Sequence, residues 1–165
     1  MPKTYEPIAT YTISSAQSNY TFTAIPGTYT DLFLVAAYQT SGTATFLGCS
    51  IRFNGDTASN YSTTWMRGTG SSANSSRNSS QSAISSFQDS SGTWSNGLIN
   101  VQNYANTTTF KTVLQRCNNP SGIVEANVAL WRKTPEAITT ILYTSTNGAN
   151  YAAGSTFTLY GIKAA

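Results

Sequence analysis

Only 9% of the 165 residues are charged, against about 25% in an average globular protein, so neutral polar side chains must keep this chain in solution. The formal net charge of +3 comes from nine basic and six acidic residues scattered without clusters, which excludes an electrostatic nucleic-acid footprint. No apolar run approaches the roughly 18 residues of a membrane span, and the N-terminal MPKTYEPIATYT lacks the apolar centre of a secretory signal.

The expectation is one domain over 1–165, made in a cytoplasm, with no membrane partner; two halves would each have too few apolar runs to close a core. Ser, Thr and Asn, with ten Tyr and many Val, Ile and Phe, favour strands and turns. NYTFTAI (19–25) places Tyr20, Phe22 and Ala24 on one face against Thr21 and Thr23, then stops at Pro26-Gly27. DLFLVAAY (31–38) is apolar on both faces through Leu32, Phe33, Leu34 and Val35, which predicts a central strand. FLGCSIRF (46–53) points Leu47, Cys49, Ile51 and Phe53 inward and Ser50 and Arg52 outward, and the turn residues Asn54-Gly55-Asp56 end it.

GTGSSANSSRNSSQSAISS (68–86) is predicted as a long connection laid along the sheet surface, with Arg77 as its only charge and its hydroxyls open to a partner. Within it SAISSF alternates enough, through Ala83, Ile84 and Phe87, for a short strand. GLINVQNY (97–104) and TFKTVLQRC (109–117) follow; in the second, Phe110, Thr112 and Leu114 alternate with Lys111, Val113 and Gln115, and NNPSG closes it as a loop. IVEANVALWRK (123–133) sets Val124, Ala126, Val128 and Leu130 opposite Glu125 and Asn127, the clearest half-buried strand in the chain. TPEAITTILY (134–143) offers a helix start at Thr134-Pro135, but its β-branched Ile-Thr-Thr-Ile run favours a strand. STFTLYGI (155–162) closes the chain with Phe157 and Leu159 against Thr158 and Tyr160. Many short strands about ten residues apart predict an antiparallel β-sandwich of jelly-roll type.

The chain has no histidine, so neither a Ser-His-Asp triad nor a His-ligated zinc can be built. Glycoside hydrolysis needs two carboxylates flanking one bond, and no local spacing pairs Glu6, Asp31, Asp56, Asp89, Glu125 or Glu136. Asn54 and Asp56 offer oxygens to calcium, but one carboxylate is too few and an Asx turn is the better reading. No glycine-rich phosphate loop follows a strand. Asn-X-Ser/Thr triplets at Asn19, Asn60, Asn74, Asn78 and Asn106 are expected by chance in so Ser/Thr-rich a chain and stay unmodified without export. The expectation is no enzyme, no cofactor and no metal. Cys49 and Cys117 are expected as free buried thiols. Trp65, Trp94 and Trp131 are candidate contact residues alongside Arg77: aromatic faces stack on sugars, and Trp131, in phase with Glu125 and Asn127, falls on the face away from the apolar stripe.

The motifs YTFTAIPGTYTDLFLV, IRFNGDTASNYS, GTGSSANSSR, NTTTFKTVLQR, VALWRKTPEAITTI and GANYAAGSTFTLYGIKA, in that order, span nearly the whole chain. Together they resemble a family of small β-rich virion proteins of tailed bacteriophages, marine ones especially. The resemblance implies one β domain with a structural role in the virion and no enzymatic activity; it carries no site residue. Because the module starts close to Met1, with no attachment region or stalk before it, the resemblance points to a capsid decoration or cement protein that binds the major capsid protein. A tail-fibre or spike module binding host glycans is the alternative. The implied partners are major capsid or other virion proteins and further copies of the chain, a trimer favoured, in virions assembled in the host cytoplasm.

Overall fold

Apolar residues at every second position send most of this chain into extended strands, and the computed structural model has no helix among the residues it describes, 4–41, 47–89, 92–119 and 122–163. The side chains of 47 and 86–89 are not among them, so the placements expected for Leu47 and Phe87, and the loop at Pro120 and Ser121, lie outside the described residues. The strands in chain order are β1 (Tyr5–Thr12), β2 (Asn19–Phe22), β3 (Asp31–Ser41), β4 (Leu47–Phe53), β5 (Tyr61–Gly68), β6 (Ala73–Gln81), β7 (Ile84–Asp89), β8 (Trp94–Gln102), β9 (Lys111–Asn119), β10 (Ile123–Trp131), β11 (Ile141–Ser145), β12 (Asn150–Tyr151) and β13 (Thr156–Ile162).

One sheet runs β1-β13-β3-β8-β9-β10-β5-β6, with β12 attached to β3; the other runs β2-β11-β4-β7. Every pairing is antiparallel, and the two sheets pack as a sandwich, as the composition predicts. Setting aside β5, β6, β9 and β10, which widen the large sheet, and short β12, eight strands remain. They visit the sheets in the order large, small, large, small, small, large, small, large, the alternation that the jelly-roll expectation calls for.

The core is aromatic. Tyr38 on β3, Tyr151 on β12 and Phe157 on β13 meet Tyr143 of β11 with ring centroids 4.9–6.3 Å apart, and Phe53 of β4 meets Tyr61 and Trp131 at 6.4 and 5.5 Å. Strand β3 buries every second residue from Leu32 to Thr40 and half-buries the alternates, which fits its central place between β13 and β8. In β4, Cys49, Ile51 and Phe53 are buried as expected, and Ser50 is buried with them.

Several expectations need correction. The serine-rich stretch is not a connection: Ala73–Gln81 is edge strand β6, paired to β5 from Ala73↔Gly68 to Gln81↔Tyr61, while Ile84–Asp89 is the expected short strand. Its side chains are exposed as far as Ser80, so backbone pairing rather than burial holds it. Strand β2 ends at Phe22, short of the expected Ile25, because Ala24 takes φ 53° and turns the chain. Residues 134–140 form neither helix nor strand. Asn54 occupies the backbone groups that either would pair: its Oδ1 accepts from the amides of Thr139 and Thr140 at 2.9 and 3.1 Å, and its Nδ2 donates to the Ala137 carbonyl at 2.8 Å. Neither cysteine is in a disulfide, as expected, but only Cys49 is fully buried.

The largest difference lies in β9 and β10: both alternate as predicted, but in β10 the apolar face of the expected half-buried strand is the outer one. Glu125, Asn127, Ala129 and Trp131 point into the sandwich with Lys111, Val113 and Gln115, while Val124, Val128, Leu130 and Leu114 face outward. A strand's phase is indivisible, so taking Trp131 into the core against Phe53 and Tyr61 carries Asn127 and Glu125 inward as well.

Candidate functional site

Register places these outward residues side by side. Val128 lies between Thr64 of β5 and Leu114 of β9, and Ala126 lies between Met66 and Arg116. In the next rows Val124 sits between Gly68 and Asn118, and Leu130 between Ser62 and Thr112. Met66 is 63% exposed, Val124 60%, and Val128 and Leu114 50% each. The remaining exposed large apolar side chains fall in the same phase. Tyr5 meets Phe33 edge-on at 6.0 Å, Trp94 pairs with outward Gln39 at the start of β8, and Phe110 directly precedes β9. All eight large hydrophobic residues exposed among the described residues therefore share the outer face of the large sheet. Isolated exposed apolar residues are ordinary, but a contiguous set on one face marks an interaction surface.

The charges around this face are few. Arg116 and Arg77 are exposed on its side of the sheet, Arg77 opposite Thr64. Asp31, in phase at the far end of β3, accepts the Asn103 amide at 2.7 Å. An open depression of about 580 Å³ lies at one end, lined by Met66, Gly68, Ala73, Arg116, Val124 and Ala126 among others. Small Ala126 makes the hollow between its larger neighbours.

The buried side of the same strands is polar. Glu125 is held by Arg67, whose Nε donates to it at 2.6 Å. Gln115 and Asn127 sit opposite one another, and both amide atoms of Gln115 and the Asn127 Oδ1 find no hydrogen-bond partner among the described residues. Lys111 is buried, its ammonium donating to the carbonyls of Asn106 and Thr109; burial pulls its pKa down, with the Glu136 charge opposing.

Asp56 belongs to an Asx turn. Its Oδ1 accepts the Ala58 amide at 2.9 Å, and its Oδ2 accepts Asn60 Nδ2 at 2.9 Å and Trp131 Nε1 at 2.7 Å. Burial pushes the carboxyl pKa up, but these three donors and the Lys133 charge outweigh it and hold the value below 3.8. Glu136 is likewise held below 4.5 by hydrogen bonds from Asn54 and Lys133. Both carboxylates are thus tuned away from general-acid work, which needs a raised pKa. No group of three or more His, Cys, Asp or Glu that could hold a metal occurs among the described residues.

The candidate contact residues do not come together. Trp131 is core, 2% exposed, so its place among surface contacts is withdrawn; the apolar stripe it was set against is itself the outer surface. Trp65 is half-buried on the inner side of β5, with the Arg67 guanidinium 4.5 Å from its ring centroid. Trp94 opens β8 and is exposed on the outer face. Arg77 is exposed on β6. The residues that sequence reasoning missed are Tyr5, Met66, Phe110, Leu114, Val124, Val128 and Leu130. For Leu114, Val124, Val128 and Leu130 the signal was present in the matched alternation of two consecutive strands, and Trp131 sets which side is covered.

No family model and no curated protein matches the chain. Among solved structures, a crystal structure of a protein of unknown function from Shewanella oneidensis MR-1 aligns over 98% of this chain and 77% of its own, at 11% identity and a TM-score of 0.29, a likeness too slight to carry an argument.

Proposed function

We propose that this chain is a non-enzymatic structural protein of a bacteriophage virion, a decoration or cement protein that binds and stabilises the major capsid shell. The observation that carries the reading is the outer face of the large sheet, which gathers every exposed large hydrophobic among the described residues. Such a surface suits permanent assembly with protein, because an uncovered apolar face is an aggregation hazard in a free monomer. Carboxylates tuned away from acid catalysis and the sparse charge agree with it. The virion setting itself rests on the resemblance of the six motifs to tailed-phage proteins. The glycan-binding alternative has less support, since Trp65, Trp94 and Trp131 form no common platform.

Quantitative mass spectrometry of particles purified from the host tests the reading. The chain is expected at tens to hundreds of copies per particle, in fixed ratio to the shell protein. A count below a dozen, or absence from the particle, would sink it.

A further inference from the structure

The outer face has β10 as its midline, flanked by β5 and β6 on one side and by β9 and β8 on the other. Folding leaves Val124, Val128, Leu130 and Leu114 in solvent while Glu125, Asn127 and Gln115 are taken inside. That arrangement wastes apolar burial in a lone chain and recovers it once the face is covered.

We propose that this face is a two-fold, face-to-face contact between two copies of the chain, with the axis running along β10. It rests on the reading above only in that the face is built to be covered by protein, and it assigns that cover to a second copy of the chain rather than to the shell protein. A rotation about β10 lays the Val124, Ala126, Val128 and Leu130 row on itself and exchanges β5 with β9 and β6 with β8. In register, Thr64 then meets Leu114, and Met66 meets Arg116; Arg77 meets Asn100. In this register no two guanidinium groups oppose each other, and no carboxylate lies on the paired rows. The hollow over Ala126 takes the flexible Met66 and Arg116 side chains of the second copy.

The flat area is somewhat below that of a standard interface before side-chain relief is counted. Strands spaced about 4.8 Å apart with residues rising about 3.4 Å give five strands of seven residues roughly 570 Å² of flat sheet. Side-chain relief brings the accessible area toward the ~800 Å² per partner of a standard interface. Sheets stack in this way at about 10 Å, with strands nearly aligned. The contact is isologous, so it closes as a dimer rather than as the trimer that the family resemblance implies.

Sedimentation equilibrium of the purified full chain tests the pairing. The expected species at micromolar concentration has twice the 17.6 kDa chain mass. Val128→Glu and Leu114→Glu are each expected to weaken association by about 100-fold or more, because each buries an unpaired charge at the contact. Both positions are half exposed in the single chain, so the circular dichroism spectrum is expected to stay unchanged. Val128→Thr, which keeps the branched shape and folds if the parent does, is expected to weaken the dimer by about tenfold. Thr21→Asp, on exposed β2 of the other sheet, is expected to remain a dimer. A monomer, a trimer, or a dimer indifferent to both glutamates overturns the proposal. A dimer absent from particles would sink the virion reading and leave this one standing.

Discussion

Asp56 ties a surface turn to the aromatic core, because one carboxylate accepts the turn amide, the Asn60 amide and the Trp131 indole. Asp56→Asn keeps the size but turns an NH₂ toward those donors, and is expected to cost about 2–3 kcal/mol in urea unfolding. Folding also lowers the pKa of Asp56 below 3.8 and of Glu136 below 4.5, so the folded chain binds fewer protons than the unfolded one in that range. Their stabilisation is complete above the unfolded values and drains away as pH falls through the folded ones. Unfolding free energy is therefore expected to fall on acidification from pH 5 to pH 3, less steeply in Asp56→Asn; an equal acid slope in the two proteins would remove Asp56 from the explanation. Gln115 poses the opposite case. Its two buried amide atoms lack partners among the described residues, so Gln115→Met is expected to raise stability by about 1–2 kcal/mol, and a loss would reveal a partner.

Strand β3 was legible from its apolar residues on both faces, and β4 and β13 because their alternation and their large apolar residues point the same way, through Ile51 and Phe53, Phe157 and Leu159. Strand β6 was not legible, since backbone pairing to β5 leaves no apolar period in its Ser and Asn residues. In β9 and β10 the period was right, and in β10 the face was wrong: alternation says which residues share a side and not which side is covered, and here Trp131 decides. The closing strand STFTLYGI included Gly161, but its alternation could not show what that residue faces. The Gly161 Cα lies under the Tyr29 ring, which a Cβ would strike; Tyr29 is held there by its hydroxyl bond to Glu6 at 3.2 Å and its amide bond to Tyr104. Gly161→Ala is expected to cost about 1–3 kcal/mol by overpacking, and an unchanged melting temperature would show that Tyr29 moves freely.

At the scale of the molecule, polar and apolar surface are segregated. Among the described residues β6 carries hydroxyls and amides with one cation, the exposed apolar side chains gather on one sheet face, and few ion pairs are available for salt to screen. Assembly held by apolar contact and neutral hydrogen bonds is expected to persist at high ionic strength. The central claim, that the outer face is built to be covered, is tested most directly at Met66, 63% exposed in the single chain and beside Ala126 at the proposed contact. Peroxide oxidation of the native protein, followed by peptide mass spectrometry, reads its accessibility. The account predicts that Met66 oxidises slowly in the wild-type protein and rapidly in Val128→Glu; oxidation of the wild type as fast as that of a free methionine would contradict it.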